Sequence, residues 1–149
     1  MRAVVQRVLE ASVGLENGVY RQINKGLLVY LGVTHNDKTD DVEWLADKIV
    51  HLRIFADTEG KMNLSVRDIN GQVLLISQFT LYGDCRKGRR PGFDQAADPG
   101  PAQGLYEVLI QEIRQRHIPV QTGEFGTHMA VQSKNDGPVT FLLDSRKQF

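Results

Sequence analysis

The stretch VLLISQFTLYGD, Val73–Asp84, changes character halfway along. Its first four residues form an unbroken apolar run, which suits a strand buried on both faces better than one with a wet side. Ser77, Gln78 and Thr80 then flank a lone Phe79. Beyond Gly83-Asp84 comes the most basic segment of the chain, Arg86-Lys87-Gly88-Arg89-Arg90-Pro91. The pattern predicts a strand over Val73–Leu81 that ends in hydrogen-bonding side chains and opens onto a positive loop. Such a strand end is a place for chemistry on an anionic substrate. The same residues also fit a strand that simply finishes at the surface, and taken alone they leave both open.

A second apolar run of the same kind, GLLVYLGV, occupies Gly26–Val33. Before it, Arg2–Leu9 reads as a first strand and Ala11–Glu16 alternates apolar with small or polar residues. Asn17-Gly18 is a strong hairpin signal, leading into a return strand at Val19–Ile23. Between the two apolar runs the period changes. Val42, Leu45, Ala46 and Ile49 share one face of a helix over Asp37–Leu52, with Asp37, Asp40 and Asp41 at its start and Lys48 and His51 toward its end, as the helix dipole favours. Arg53–Phe55 leaves as a short extended piece, and Asp57–Asn63 is a polar turn.

Downstream, Gly83–Pro101 has no period of either kind and is expected to be a long loop, a type usually functional when ordered. Ala102–His117 forms a second amphipathic helix with Leu105, Tyr106, Leu109 and Ile113 on one face, Pro101 in its first turn and Pro119 past its end. Strands are expected at His128–Ser133 and Val139–Leu143, separated by a turn at Asn135-Asp136-Gly137-Pro138, with a loose tail from Asp144. The order of elements predicts an α+β fold: one domain spanning 1–149, with a compact β-barrel-like curved sheet and two main amphipathic helices.

Several function classes drop out on composition. The formal net charge is zero, so attraction for nucleic acid has to come from local clustering. No apolar run approaches the ~18 residues of a membrane span, and the N-terminus has no secretory signal pattern. A single cysteine, Cys85, excludes an intrachain disulfide framework and fits a reducing, cytoplasmic setting. His35, His51, His117 and His128 are scattered without zinc-site spacing. There is no Gly-rich phosphate loop and no nucleophile elbow, so neither metal nor cofactor is expected. Cys85 lies beside Arg86 and Lys87, which would activate an exposed thiol; a thiol hydrolase therefore stays on the table. The cluster Arg86, Lys87, Arg89 and Arg90 is of the kind that meets phosphates. Gly137-Pro138 is a bond type in which cis peptides occur.

SQFTLYGD at Ser77–Asp84 together with NDGPVTF at Asn135–Phe141 resembles the D-aminoacyl-tRNA deacylase family. The likeness extends through QRV at Gln6–Val8, GLLVYLGV, RIF at Arg53–Phe55, GKMN at Gly60–Asn63 and KGRRPGF at Lys87–Phe93, in order and without insertions. The chain departs from the family pattern at Cys85, Gly92 and Ser133-Lys134. The resemblance implies a homodimer that hydrolyses the ester joining a D-amino acid, or glycine, to the 3′-terminal adenosine of tRNA, with no membrane or DNA partner. It implies a catalytic pocket floor made of Ser77, Gln78, Phe79 and Thr80. It also implies that Gly137 and Pro138, joined by a cis peptide, reach into the partner subunit's pocket and exclude L-amino acids. Arg7 would brace that segment, Phe125 and Met129 would line the pocket, and Arg86, Lys87, Arg89 and Arg90 would meet the tRNA. Because no base in the motif is placed to activate Thr80, the expected oxyanion donors are the N–H groups of Phe79 and Thr80, with the tRNA 2′-OH assisting. Thr80 as covalent nucleophile and a non-catalytic tRNA- or RNA-binding barrel are the alternatives.

Overall fold

The structure is a computed structural model, described over residues 1–148. In chain order its strands are β1 (Arg2–Leu15), β2 (Tyr20–Ile23), β3 (Gly26–Gly32), β4 (Phe55–Ala56), β5 (Met62–Leu64), β6 (Gln72–Ser77), β7 (Val120–Thr122) and β8 (Met129–Asp144). Helix α1 (Thr39–His51) lies between β3 and β4, and α2 (Pro99–Gln115) between β6 and β7. The main sheet runs β2-β1-β3-β6-β7, with β8 on the other edge of β1.

The two apolar runs are neighbours. β3 and β6 pair in parallel, from Gly26 opposite Gln72 to Leu31 opposite Ser77, and β7 continues in parallel beyond β6. A parallel partner requires a crossover, and these crossovers contain α1 and α2, which pack on one face of the sheet. There Leu27, Val29 and Leu31 of β3 and Val73 and Leu75 of β6 meet Leu45 and Ile49 of α1 and Leu109 and Ile113 of α2. On the opposite face, Leu28, Leu74 and Ile76 meet Val8, Ala11, Val13 and Leu15 of β1 and Ile23 of β2. Both strands are thus buried on both sides, as their unbroken apolar sequences require.

β1 supplies residues to both cores. Ala3 and Val5 belong to the helix-side core, whereas Val8, Ala11, Val13 and Leu15 belong to the other. The switch coincides with register shifts against β8 between Gln6 and Val8 and between Val8 and Glu10, irregularities that bend a strand and increase its twist. Beyond the bend, β1 and β2 fold over the second face of β3 and β6. Arg21 of β2 then donates to the carbonyls of Thr122 and Gly123 at the end of β7, drawing the two ends of the strand order together. The sheet is barrel-like, closed by a side chain.

Five local expectations change. The two pieces Arg2–Leu9 and Ala11–Glu16 are one bent strand. Residues 129–144 are likewise one strand, with Asn135–Pro138 inside it instead of a turn, because the pairing with β1 resumes on both sides. β6 stops at Ser77, not Leu81: Gln78 N–H makes a last bond to Leu31, and Phe79–Tyr82 closes into a 3₁₀ turn through Leu81 N–H to Gln78 and Gly83 N–H to Thr80. α2 begins at Pro99, since Pro99 and Pro101 both fall in a first turn, where N–H groups have no helical partner anyway. The tail is also tied down through Gln148: Asp144 is buried and accepts from Arg2, while Arg146 reaches His35 and Asp37. Phe149 lies outside the described residues.

Gly26 is a point of close strand approach, where an added Cβ would sit 1.9 Å from the Gln72 carbonyl oxygen. Gly26→Ala is expected to destabilise by about 3 kcal/mol or more, read as a fall of roughly 6–12 °C in Tm. Gly104, on the exposed side of α2 with open space at its Cβ, gives the opposite result: Gly104→Ala is expected to stabilise by about 0.8–1 kcal/mol.

Candidate active site

A cavity of about 590 Å³ opens where β3 and β6 end. Leu31 and Val33 reach it from the end of β3, Ile76 and Ser77 from the end of β6, and Gln78 and Phe79 from the connection beyond. Ala102 and Tyr106 of α2 form one side, and Phe125 through Met129 with Val131 form the other. The floor is rigid for a reason visible in its bonds. The Leu75 carbonyl accepts both the Tyr106 hydroxyl at 2.9 Å and the Gly123 N–H at 3.2 Å, locking α2 and the chain after β7 to the central strand. Burial raises the Tyr106 hydroxyl to a pKa of about 12, so it stays a neutral donor. Its ring lies 5.9 Å from that of Phe125.

The 3₁₀ turn at the cavity mouth is held from the far side by Arg2. That guanidinium donates to the Leu81 carbonyl and lies 4.6 Å from the centre of the Tyr82 ring. The turn turns Phe79 outward: it is 58% exposed and meets Phe93 edge-on at 5.0 Å. The N–H groups of Phe79 and Thr80 head the turn, where helices leave their first donors without an internal partner. Among the described residues neither N–H has a hydrogen-bond partner outside the turn, and the Ser77 hydroxyl makes no protein hydrogen bond. The Thr80 hydroxyl accepts from the Gln78 side-chain amide and does not line the cavity. The titratable side chains that do are Asp98, Tyr106 and His128; Asp98 and His128 are solvent-exposed. Among the described residues no cluster of three or more His, Cys, Asp or Glu is placed to hold a metal ion, and no helix is long and apolar enough to cross a membrane.

Gly137 and Pro138 lie elsewhere, exposed on β8, and do not line this cavity. Their peptide bond is cis. Asp136–Val139 stand opposite only Arg7, because Val8 pairs with Asn135 and Gln6 with Thr140. Two side chains shape this bulge. Asn135 bridges its base, accepting from Val139 N–H at 2.9 Å and donating to Thr140 at 3.1 Å. Arg7 spans from beneath, donating to the Asp136 carbonyl and carboxylate and to the Ile54 carbonyl. Gly137 has φ +131, and a Cβ there would press on Val139 and on the Arg7 guanidinium.

Of the residues singled out from sequence, Ser77, Gln78, Phe79, Phe125 and Met129 line one cavity; Thr80 stands just beside it; Arg7, Gly137 and Pro138 form a separate feature. The basic segment does not line the cavity but lies on the loop that leads into Phe93 of its wall, Arg86, Lys87, Arg89 and Arg90 all being exposed. Cys85 is exposed as well and does not line the cavity. Sequence inspection missed Phe93, Ala96, Asp98 and His128 as lining residues. Phe93, Ala96 and Asp98 come from a segment without periodicity whose length was the only cue, and His128, expected to open a strand, lies just before β8.

The sequence model of the family described as D-Tyr-tRNA(Tyr) deacylase matches residues 4–144. The D-aminoacyl-tRNA deacylase of Clostridioides difficile is 58% identical over 149 residues, covering 100% of both chains. A solved structure described as c-Myc DNA Unwinding Element Binding Protein superposes with a TM-score of 0.91 at 38% identity, over 97% of this chain and 98% of its own. A probable eukaryotic D-amino acid tRNA deacylase superposes with a TM-score of 0.81 over 95% and 97% of the two chains. At 18% identity that likeness is one of fold.

Arg7→Lys keeps the charge but replaces a planar fork with a single ammonium, which cannot hold Asp136 and Ile54 together. The variant is expected to lose about 1–2 kcal/mol in denaturant unfolding, with faster amide exchange at Gly137 and Val139 than at the centre of β3.

Proposed function

This chain belongs to the D-Tyr-tRNA(Tyr) deacylase family, and from that membership we propose that it hydrolyses the ester of D-aminoacyl-tRNA, releasing free D-amino acid and tRNA. Glycyl-tRNA mischarged on tRNA(Ala) is a substrate of the same site, and L-aminoacyl-tRNA is not. A tRNA substrate places the enzyme in the cytoplasm.

The observation that carries the proposal is the pair of unspent main-chain donors, at Phe79 and Thr80, at the mouth of a cavity whose wall has no buried carboxylate or histidine. Ester hydrolysis needs an attacking water, a donor for the developing oxyanion and a route for the proton. Here the oxyanion is taken by the Phe79 and Thr80 N–H groups, donors fixed by the fold and needing no reorganisation during reaction. Water adds to the ester carbonyl, the bond to the 3′-oxygen breaks, and the vicinal 2′-OH of the terminal ribose relays the proton to the leaving oxygen. The Thr80 hydroxyl is a weaker candidate for nucleophile, because it is engaged by the Gln78 amide and no side-chain base is bonded to it.

Chirality is read by exclusion. Gly137 and Pro138 of one subunit enter the cavity of a second, and their carbonyls face the α-carbon so that an L side chain has no room. A D side chain points away unread, and glycine has nothing to clash. Three observations favour this arrangement: the segment is exposed, it lies outside its own cavity, and the same strand presents Phe141 and Leu142 to solvent at 38% and 60% exposure. Exposed apolar residues of that kind fit the face of a homodimer.

Release of free amino acid from D-Tyr-tRNA, with none above background from L-Tyr-tRNA, is the expected result. Binding of both without D-selective release would instead indicate a non-catalytic RNA-binding barrel. A 2′-deoxy terminal adenosine is expected to slow turnover by about 10²-fold or more, whereas Thr80→Ala stays within about tenfold of wild type. If Thr80→Ala abolishes turnover while dimerisation and tRNA binding survive, the main-chain mechanism is wrong. Inactivation by alkylating Cys85 or by Cys85→Ser would point instead to a thiol hydrolase.

A further inference from the structure

Resting on the deacylase proposal, we infer that Lys87, Arg89 and Arg90 bind backbone phosphates of the acceptor end of the tRNA, and that Arg86 beside them does not. Asp84 and Gly92 exchange both main-chain hydrogen bonds, at 2.7 and 2.9 Å, so residues 85–91 project from a pinned base. The next residue, Phe93, is part of the cavity wall and meets Phe79 edge-on. The loop therefore leaves the protein beside the opening that receives the aminoacyl end. A polyanion whose terminus enters the cavity has its next phosphates within the field of the loop.

The four cations are not equivalent. Arg86 is bonded to Asp84 through two side-chain contacts, Nε to Oδ1 at 2.9 Å and Nη2 to Oδ2 at 2.7 Å, and through its own main-chain N–H. Those bonds hold the Asp84 carboxyl well below the usual carboxylate range, so it stays ionised beside Arg86 around neutral pH. Arg86 shapes the loop and its charge is matched. Among the described residues, Lys87, Arg89 and Arg90 have neither a hydrogen bond nor an ion pair, and all three are exposed. On a chain of zero formal net charge, three unmatched cations on one loop are a concentrated positive site. Residues 85–91 contain no aromatic side chain, so the loop has no stacking platform for bases. It can hold phosphates without reading sequence, which suits an enzyme acting on tRNAs of many identities.

The test compares two substrates, D-Tyr-tRNA and the 3′ ester of D-tyrosine with adenosine, which carries the same ester but no phosphate. In the Lys87→Gln/Arg89→Gln/Arg90→Gln variant, kcat/KM on D-Tyr-tRNA at low salt is expected to fall about 10- to 100-fold, chiefly through KM. The slope of log(kcat/KM) against log[salt] flattens by about 2–3, near one unit per lost phosphate contact. Turnover of the adenosine ester is unchanged, which also reports that the variant is folded. Arg86→Gln leaves the salt slope as in wild type. An unchanged slope in the triple variant, an equal loss on both substrates, or a flattening in Arg86→Gln overturns the inference. Filter binding of uncharged tRNA over the same salt series gives the slope without turnover. If wild type hydrolyses neither ester, the proposed activity fails, and the binding slope still decides whether these three cations hold phosphates.

Discussion

Parallel pairing of β3 with β6, buried on both faces, sets what every other element has to do. Two strands without a polar side need an apolar layer above and another below. The helices supply one layer, because parallel partners force crossovers and the crossovers must pack back on the sheet. Among the described residues no third α-helix supplies the other, so the sheet supplies it itself: β1 bends, changes the core it serves, and brings β2 and part of β8 across the open face. The cavity forms where this double-sided packing stops. At Ser77 the apolar run ends, the ladder makes its last bond through Gln78, and the chain turns on itself with donors left over.

That origin explains the chemical character of the cavity. Much of its wall is apolar side chain fixed by the core, and main-chain N–H groups are left over at its mouth where β6 terminates. Preorganisation comes from burial behind the site: Tyr106 and Gly123 converging on the Leu75 carbonyl, and Arg2 under the 3₁₀ turn. The bulge in β8 follows the same plan outside this cavity, a main-chain feature held by Asn135 and Arg7 with little side chain of its own.

Where residues repeat, the sequence was legible. Continuous apolar runs identified β3 and β6 as doubly buried, the 3.6-residue period placed α1 within two residues of its start, and Asn17-Gly18 marked the hairpin. The misread places are those where tertiary pairing overrules local preference. Asn135-Asp136-Gly137-Pro138 has turn composition, yet β1 continues alongside and keeps the strand intact as a bulge. Phe79-Thr80-Leu81-Tyr82 has strand composition, yet β3 ends at Gly32 and offers no further partner, so the chain coils instead. The site was half legible for a related reason. Ser77 to Phe79 stand at the visible end of a run, while Phe93, Asp98 and His128 arrive on connections whose positions depend on the assembled core. The matched charge of Arg86 was invisible too, since Asp84 could as well have faced away.

The bend in β1 also restricts how such a chain can drift. Ahead of it odd-numbered residues face the helices; beyond it the strand serves a different core, and the change is absorbed by irregular pairing around Val8. Removing or adding one residue between Gln6 and Glu10 would reverse the facing of Ala11, Val13 and Leu15, sending three core residues to solvent at once. It would also carry Arg7 off the bulge it supports. Substitutions that conserve volume and polarity can be absorbed singly along this strand, but a change of length there cannot be accommodated piecemeal. Divergent lineages built on this plan should therefore differ in the spelling of β1 and agree in its count.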